Sequence, residues 1–463
     1  MSDDTSRANS FTHGPIGPTL LKTAGPIILV MSMNGFLTVA DAVFLGIYVG
    51  PDALSAVTLM FPAYMLLAAL ATFVSSGMSS LLARHLGGTR FEEARAVFAG
   101  AHGLALTAGL GLILLLLLFG RMATLAAADG AVEIAGMSYV YLAITIGFSP
   151  LMFVLSVNSD ALRNEGHVML MAGLSLSVSL GNLALNYVLI ALLGLGVAGS
   201  ALGTVLAQAL ALVFLIGFRL KGHTVLSPRD VFANPLTSDW RAILALGAPQ
   251  SLSFLGIALG SAATIAVLQR FAADGYEATV AAFGVTTRIM TFAYLPLLGL
   301  SMAFQTMIGN NAGAQLWQRT DATLRLGLGL AFGYSLALQA LLTFGAPWIG
   351  LAFVDDADVI REVGRILPVM VAMYFAAGPL FVVATYFQAL GDARRAALLS
   401  LVKPYAFLLP LLVLLPLGFG ELGIWLAGPV AEGLLIGLTV VTLMEAARGG
   451  TARWGLFRAT PAI

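Results

Sequence analysis

Asn34, Thr38 and Asp41 stand at i, i+4 and i+7 in an otherwise apolar run. A helix turning about 100° per residue keeps the three within an arc of about 60°, a polar stripe that ends in a carboxylate. Ser175, Ser179, Asn182 and Asn186 make a second stripe of the same kind. A carboxylate with amide and hydroxyl oxygens nearby has the hard-oxygen chemistry that alkali cations prefer. The same carboxyl group, desolvated, would instead carry a proton. Placing an ionised carboxylate in hydrocarbon costs at least about 2.5–3.5 kcal/mol, so Asp41 is expected to face a cavity, a partner or a proton donor. Interhelical hydrogen bonding is the competing use of the amides and hydroxyls.

The elements that must position these residues are membrane helices. The chain has 463 residues, 59% of them hydrophobic and 10% charged, with a mean hydropathy of +0.94, which fits a polytopic membrane protein. Absence of cysteine excludes disulfides and thiolate chemistry. His13, His85, His102, His167 and His223 show no metal-ligand spacing, and no phosphate-binding loop is present, so neither an enzyme nor a bound cofactor is expected. Net charge of zero, with no basic soluble domain, argues against nucleic acid. Met1–Pro18 lacks the basic start and short apolar core of a signal peptide, so the first span is expected to remain in the mature chain.

Apolar runs of bilayer length fall near 20–49, 54–82, 96–119, 134–157, 168–191, 196–218, 242–269, 279–306, 324–345, 365–390, 397–417 and 422–446, predicting an all-α fold of twelve transmembrane helices. Of 23 lysines and arginines, 18 fall on the side of the N-terminus and five on the other, which places both termini in the cytoplasm of a bacterial-type inner membrane. Asp41 then lies about 12 Å from the outer end of its span.

The chain is also written twice. Ala24-Gly25-Pro26 returns as Gly247-Ala248-Pro249, and Ala83-Arg84-His85-Leu86-Gly87-Gly88 is answered by Gly309-Asn310-Asn311-Ala312-Gly313-Ala314. Six spans per repeat is an even number, so the two six-helix repeats run parallel, a transporter design with substrate between the halves. The expected organisation is a tail 1–19, an N-lobe 20–218, a cytoplasmic linker 219–241, a C-lobe 242–446 and a tail 447–463.

Asp41-Ala42-Val43-Phe44-Leu45-Gly46, Leu54-Ser55-Ala56-Val57, Gly284-Val285-Thr286-Thr287-Arg288-Ile289, Phe387-Gln388-Ala389-Leu390-Gly391 and Pro429-Val430-Ala431-Glu432 follow in an order and spacing that resembles the multidrug and toxic compound extrusion (MATE) family. The resemblance covers nearly everything after residue 20. It implies V-shaped lobes that export drug-like, often cationic or amphiphilic compounds in exchange for inward Na⁺ or H⁺. Asp41 matches the family's coupling acid on the first helix, and Asn158 joins its shell by the same match, a helix-capping role being the alternative. The family's further acids in the seventh and tenth helices are missing, and its Asn-x-x-x-Asp in the fifth helix reads Asn182 and Asn186. The expected ion site is therefore Asp41, Asn182, Asn186, Thr38, Asn34 and Asn158, with Na⁺ held at Asp41, Asn182 and Asn186 if Na⁺ is the ion.

Tyr139, Gln250 and Gln305, with Asp41, are candidate substrate contacts, Tyr139 being equally an interfacial aromatic. Glu432, a second intramembrane acid, reads as a structural ion pair with Lys403. Small organic substrates and lipid are the expected partners, and a monomer the expected state. A lipid-linked precursor flippase of a related family is the alternative function, against which stands the near absence of lysine and arginine inside the helices.

Overall fold

The computed structural model describes residues 9–222, 224–271 and 275–448; the side chains of residues 34–43, 46, 51, 54, 61 and 447–448 lie outside the description. The ends of both predicted tails, 1–8 and 449–463, also lie outside it. Every regular element among the described residues is helical. Hydrocarbon offers no partner for a free N–H or C=O, so a spanning segment must close its hydrogen bonds within itself.

In order, the helices are α1 (Ser10–His13), α2 (Ile16–Tyr48), α3 (Pro51–Leu59), α4 (Phe61–Gly87), α5 (Phe91–Ala127), α6 (Val132–Gly147), α7 (Ser149–Asn164), α8 (Val168–Asn186) and α9 (Gly196–Leu220). There follow α10 (Pro228–Ala233), α11 (Trp240–Phe271), α12 (Tyr276–Gly313), α13 (Trp317–Phe353), α14 (Ala357–Met370), α15 (Tyr374–Leu390), α16 (Ala393–Leu401), α17 (Leu409–Phe419) and α18 (Glu421–Arg448). Among the described residues ten helices are long and apolar enough to cross a membrane by themselves, and two bent pairs, α6 with α7 at 46° and α14 with α15 at 50°, bring the number to as many as twelve when each pair is counted as one span.

Both halves repeat the same backbone irregularities. The fourth span breaks at Phe148 and the tenth at 371–373. Thr89 and Gln315, each in the turn after a repeat's second span, take left-handed φ angles of 54° and 57°. A π-helical stretch sits in the fifth span at Tyr187–Leu192 and in the eleventh at Val402–Leu408. Pro26 and Pro249 lie inside α2 and α11.

By packing, the chain divides into a central unit, residues 29–251, and a terminal unit, residues 1–28 with 252–463. Each division falls two residues beyond one of those prolines, whereas the sequence had assigned whole spans to one lobe or the other. The short α1 docks in the terminal unit, where Phe11 is buried, Asn9 Nδ2 donates to Asn310 Oδ1 at 2.7 Å and Arg319 donates to the Phe11 and Gly14 carbonyls.

The predicted linker belongs to the central unit and is seated on it at Leu226, at α10 and at Trp240. Leu226 is fully buried, Ser227 and Asp230 cap α10 reciprocally, and Trp240 Nε1 donates to the carbonyls of Gly100 at 2.8 Å and Leu236 at 2.7 Å. The start of α11 lies against α4 at backbone distance. A β-carbon on Gly77 would sit 2.0 Å from the Ile243 carbonyl oxygen, and one on Gly247 would sit 1.8 Å from that of Phe73. Small residues let membrane helices approach this closely. Gly77→Ala and Gly247→Ala should each lower the thermal unfolding temperature in detergent, by the equivalent of about 1–3 kcal/mol of overpacking; unchanged melting of both would show that the two backbones are not in contact.

Candidate functional site

The described part of the candidate ion site is built on α8 and α9. Asn182 and Asn186 are one helical turn apart and both buried, Asn186 completely. Asn182 Nδ2 donates to Thr204 Oγ1 on α9 at 2.9 Å, and Thr204 Oγ1 donates in turn to the Ser200 carbonyl at 3.3 Å. A longer bond, 3.4 Å, runs from Asn186 Nδ2 to Asn182 Oδ1. Gly203 makes the approach of α9 possible, since a β-carbon there would stand 2.1 Å from Asn186 Oδ1. Directly after Asn186 the helix widens into its π-helical turn, a distortion that often marks functional positions. Amide and hydroxyl oxygens are thereby gathered inside the bundle, the donor set a hard cation takes. Ser179 is buried in the same stripe and Ser175 half-buried.

Asn34, Thr38 and Asp41 lie on α2, whose backbone is helical through all three positions; their side chains fall outside the described residues. Asn158 has other partners among the described residues. Its Nδ2 bonds His102 Nε2 at 2.8 Å and the Val154 carbonyl at 2.9 Å, and none of Asn182, Asn186 or Thr204, because this face of α7 turns toward α5. His102 Nδ1 lies 2.8 Å from the Phe98 carbonyl, which can only accept, so Nδ1 carries the proton and Nε2 accepts from Asn158.

Beside Asn158 is an ionic knot that sequence reasoning missed. Arg219 and Glu165, with side chains 0% and 1% exposed, pair at 2.8 Å. The guanidinium also donates to the Leu226 carbonyl at 2.9 Å and the Asn158 carbonyl at 3.2 Å, and its Cζ lies 5.2 Å above the Phe98 ring. Glu165 Oε1 accepts from Leu226 N at 2.8 Å. This knot ties α7, α9 and the linker together; nothing in the separate positions of 165, 219 and 226 announces it. Burial raises the Glu165 carboxyl above its usual range, while Arg219 and the Leu226 N–H pull it back down.

Three further candidates come from both units. Tyr139 packs on α5, with Arg121 Cζ 5.5 Å above its ring. Gln250 is half-buried in the central unit, and Gln305 is buried on α12 in the terminal unit. Lys403 and Glu432 form an ion pair, as the sequence suggested.

Ten to twelve candidate spans among the described residues, in two repeats with polar groups held inside the helices, define the class as a polytopic membrane protein. The MatE family pattern matches residues 26–188 and again residues 249–411, both ends displaced by 223 residues. The chain therefore belongs to the MATE family, and the double match gives the repeat the same offset as Pro26 and Pro249. It is 26% identical over 441 residues to the multidrug export protein MepA of Staphylococcus aureus (strain MSSA476), covering 94% of this chain and 95% of that one. It is also 26% identical over 441 residues to an FAD transporter of Shewanella oneidensis, covering 93% and 92%. Among solved structures, the MATE multidrug transporter DinF-BH in complex with rhodamine 6G superposes with a TM-score of 0.85 at 27% identity, over 99% of this chain and 100% of that one.

Arg219→Met strands a buried carboxylate and should cost about 3–5 kcal/mol of stability, with Arg219→Met/Glu165→Leu recovering most of it. Loss of Arg219 raises the Glu165 carboxyl further, so the folded variant binds a proton that the unfolded chain, near 4.5, has released. Its deficit should therefore shrink as pH falls from 8 toward 5 in thermal melts of wild type and variant; a deficit that grows on acidification would contradict the assignment.

Proposed function

We propose that this chain is a cation-coupled antiporter that exports drug-like, often cationic or amphiphilic organic compounds by alternating access. Asp41 is its coupling acid, Asn182 and Asn186 complete the ion shell with Asn34 and Thr38, and H⁺ or Na⁺ is the coupling ion. The hydrogen-bonded oxygens of Asn182 and Thr204, with the Asn186 amide donating to the first, on a bundle of a MATE-family chain whose first span carries an acid, carry the reading. MepA's name and the rhodamine 6G complex of DinF-BH support the substrate class. The cytoplasmic placement of both termini and the lobes 20–218 and 242–446 belong to the same proposal.

Each ligand must bind the two access states unequally, or it shifts nothing. The ion, bound at Asp41, favours outward release of substrate; substrate loaded from inside favours the return.

An FAD transporter among the relatives raises the alternative of an anionic cargo, as does the lipid-linked precursor flippase. Against both, the most deeply buried cations described are already committed: Arg163 to Asp160 at 3.3 Å, Arg219 to Glu165 at 2.8 Å. A polyanionic cargo needs cations free to receive it.

Asp41→Asn should reduce efflux of rhodamine 6G from loaded cells to the level of cells without the transporter, while the protein reaches the membrane and elutes as a folded species. Undiminished efflux by that variant would sink the proposal.

A further inference from the structure

Glu432 lies eleven residues into α18 and Lys403 ten residues beyond the start of α16. At about 1.5 Å per residue both are about 15 Å deep, the middle of a hydrocarbon layer about 30 Å thick. An ionised carboxylate there needs a cation beside it. How Glu432 is given one differs from how Glu165 is.

Glu165 is locked: its cation is wholly buried, and the pair is bound to the linker backbone by two further hydrogen bonds. The Glu432 carboxylate is nearly as buried, with its side chain 7% exposed, but Lys403, its ion-pair partner among the described residues, is 33% exposed. Lys403 hangs on a flexible four-carbon stem from the π-helical turn Val402–Leu408, where Pro404 has no N–H to give to the helix. The ammonium can therefore leave the carboxylate without unpacking a helix. One tyrosine, Tyr374, is within electrostatic reach of Glu432, and Tyr294 and Tyr334 are within reach of Tyr374 in turn. The Tyr294 and Phe381 rings lie 5.5 Å apart, tilted at 52°. A buried carboxylate with a tyrosine near it is chemistry that suits a lipophilic organic cation.

We propose that Glu432 is an organic-cation subsite of the terminal unit and that Lys403 is its built-in competitor. A quaternary ammonium or phosphonium ion takes the carboxylate and displaces the lysine, which returns when the cargo leaves. Glu432 thus never stands unpaired in the membrane. Every exchange replaces one cation by another. This subsite rests on the reading of the chain as an exporter of organic cations.

The test is equilibrium binding of tetraphenylphosphonium to the purified full-length protein in detergent, with tetraphenylborate as the probe of equal size and opposite charge. Removing the competitor should help and removing the acid should harm: Lys403→Met tightens tetraphenylphosphonium binding at least threefold, and Glu432→Gln weakens it at least tenfold. Tetraphenylborate should not follow that order. The double variant Lys403→Met/Glu432→Gln, which removes both charges at nearly constant volume, should bind tetraphenylphosphonium as weakly as Glu432→Gln.

If both single variants weaken binding alike and the double variant restores it, the pair is structural and the proposal is wrong. Wild-type binding that none of the variants alters overturns the subsite while leaving the exporter reading in place. No binding of tetraphenylphosphonium by wild type overturns both.

Discussion

Hydrocarbon gives a charge nowhere to go except onto another group of the protein, and the described ionic groups are arranged by that constraint. Arg219 is surrounded by a carboxylate, two carbonyls and an aromatic face and is wholly buried. Arg163 pairs with Asp160 at 3.3 Å and donates to Ser79 Oγ at 2.8 Å. Lys403 has only Glu432 and keeps a third of its side chain exposed. Breaking a buried pair costs about 3–5 kcal/mol, so the first arrangement is a rivet. The last is the pair proposed to open.

The two repeats share their backbone and differ in their charges. Counting 225 residues on from Asp160 and Arg163 leads to Thr385 and Gln388, and 226 on from Ser79 leads to Gln305. In the terminal unit these positions are neutral and buried, with Ser301 and Thr385 hydroxyls bonded at 2.8 Å. The counterpart of Asp41, at the offset of 223, is Thr264, whose hydroxyl donates to its own helix at Gly260. One bundle plan thus carries ionised groups in one half where the other uses amides and hydroxyls. Glu432 and Asp321 are the buried acids described on that side.

Much of this was legible in the sequence because lipid is an exacting solvent. Twelve apolar runs, two prolines 223 residues apart and a polar stripe on the fifth span could be read directly, and Lys403 could be named as the partner of Glu432. What escaped depended on tertiary neighbours. Thr204 reads as one small polar residue among many until α9 brings it to Asn182. Asn158 carries a family position, yet its amide turns to His102, a choice made by the facing helix. The linker reads as polar chain, but Leu226 and Trp240 seat it on the central unit, and no local pattern says where a loop docks.

The central claim is that organic cargo leaves in exchange for an inward-moving ion bound at Asp41. Its most direct test uses proteoliposomes loaded with an organic cation and diluted into cargo-free buffer, first with ²²Na⁺ outside and then, separately, with a pH-reporting dye inside. Efflux of cargo should draw in one of these ions, H⁺ or Na⁺, in fixed proportion, and Asp41→Asn should abolish that influx. Cargo leaving with no inward movement of either ion, or ion influx undiminished in Asp41→Asn, would contradict the account.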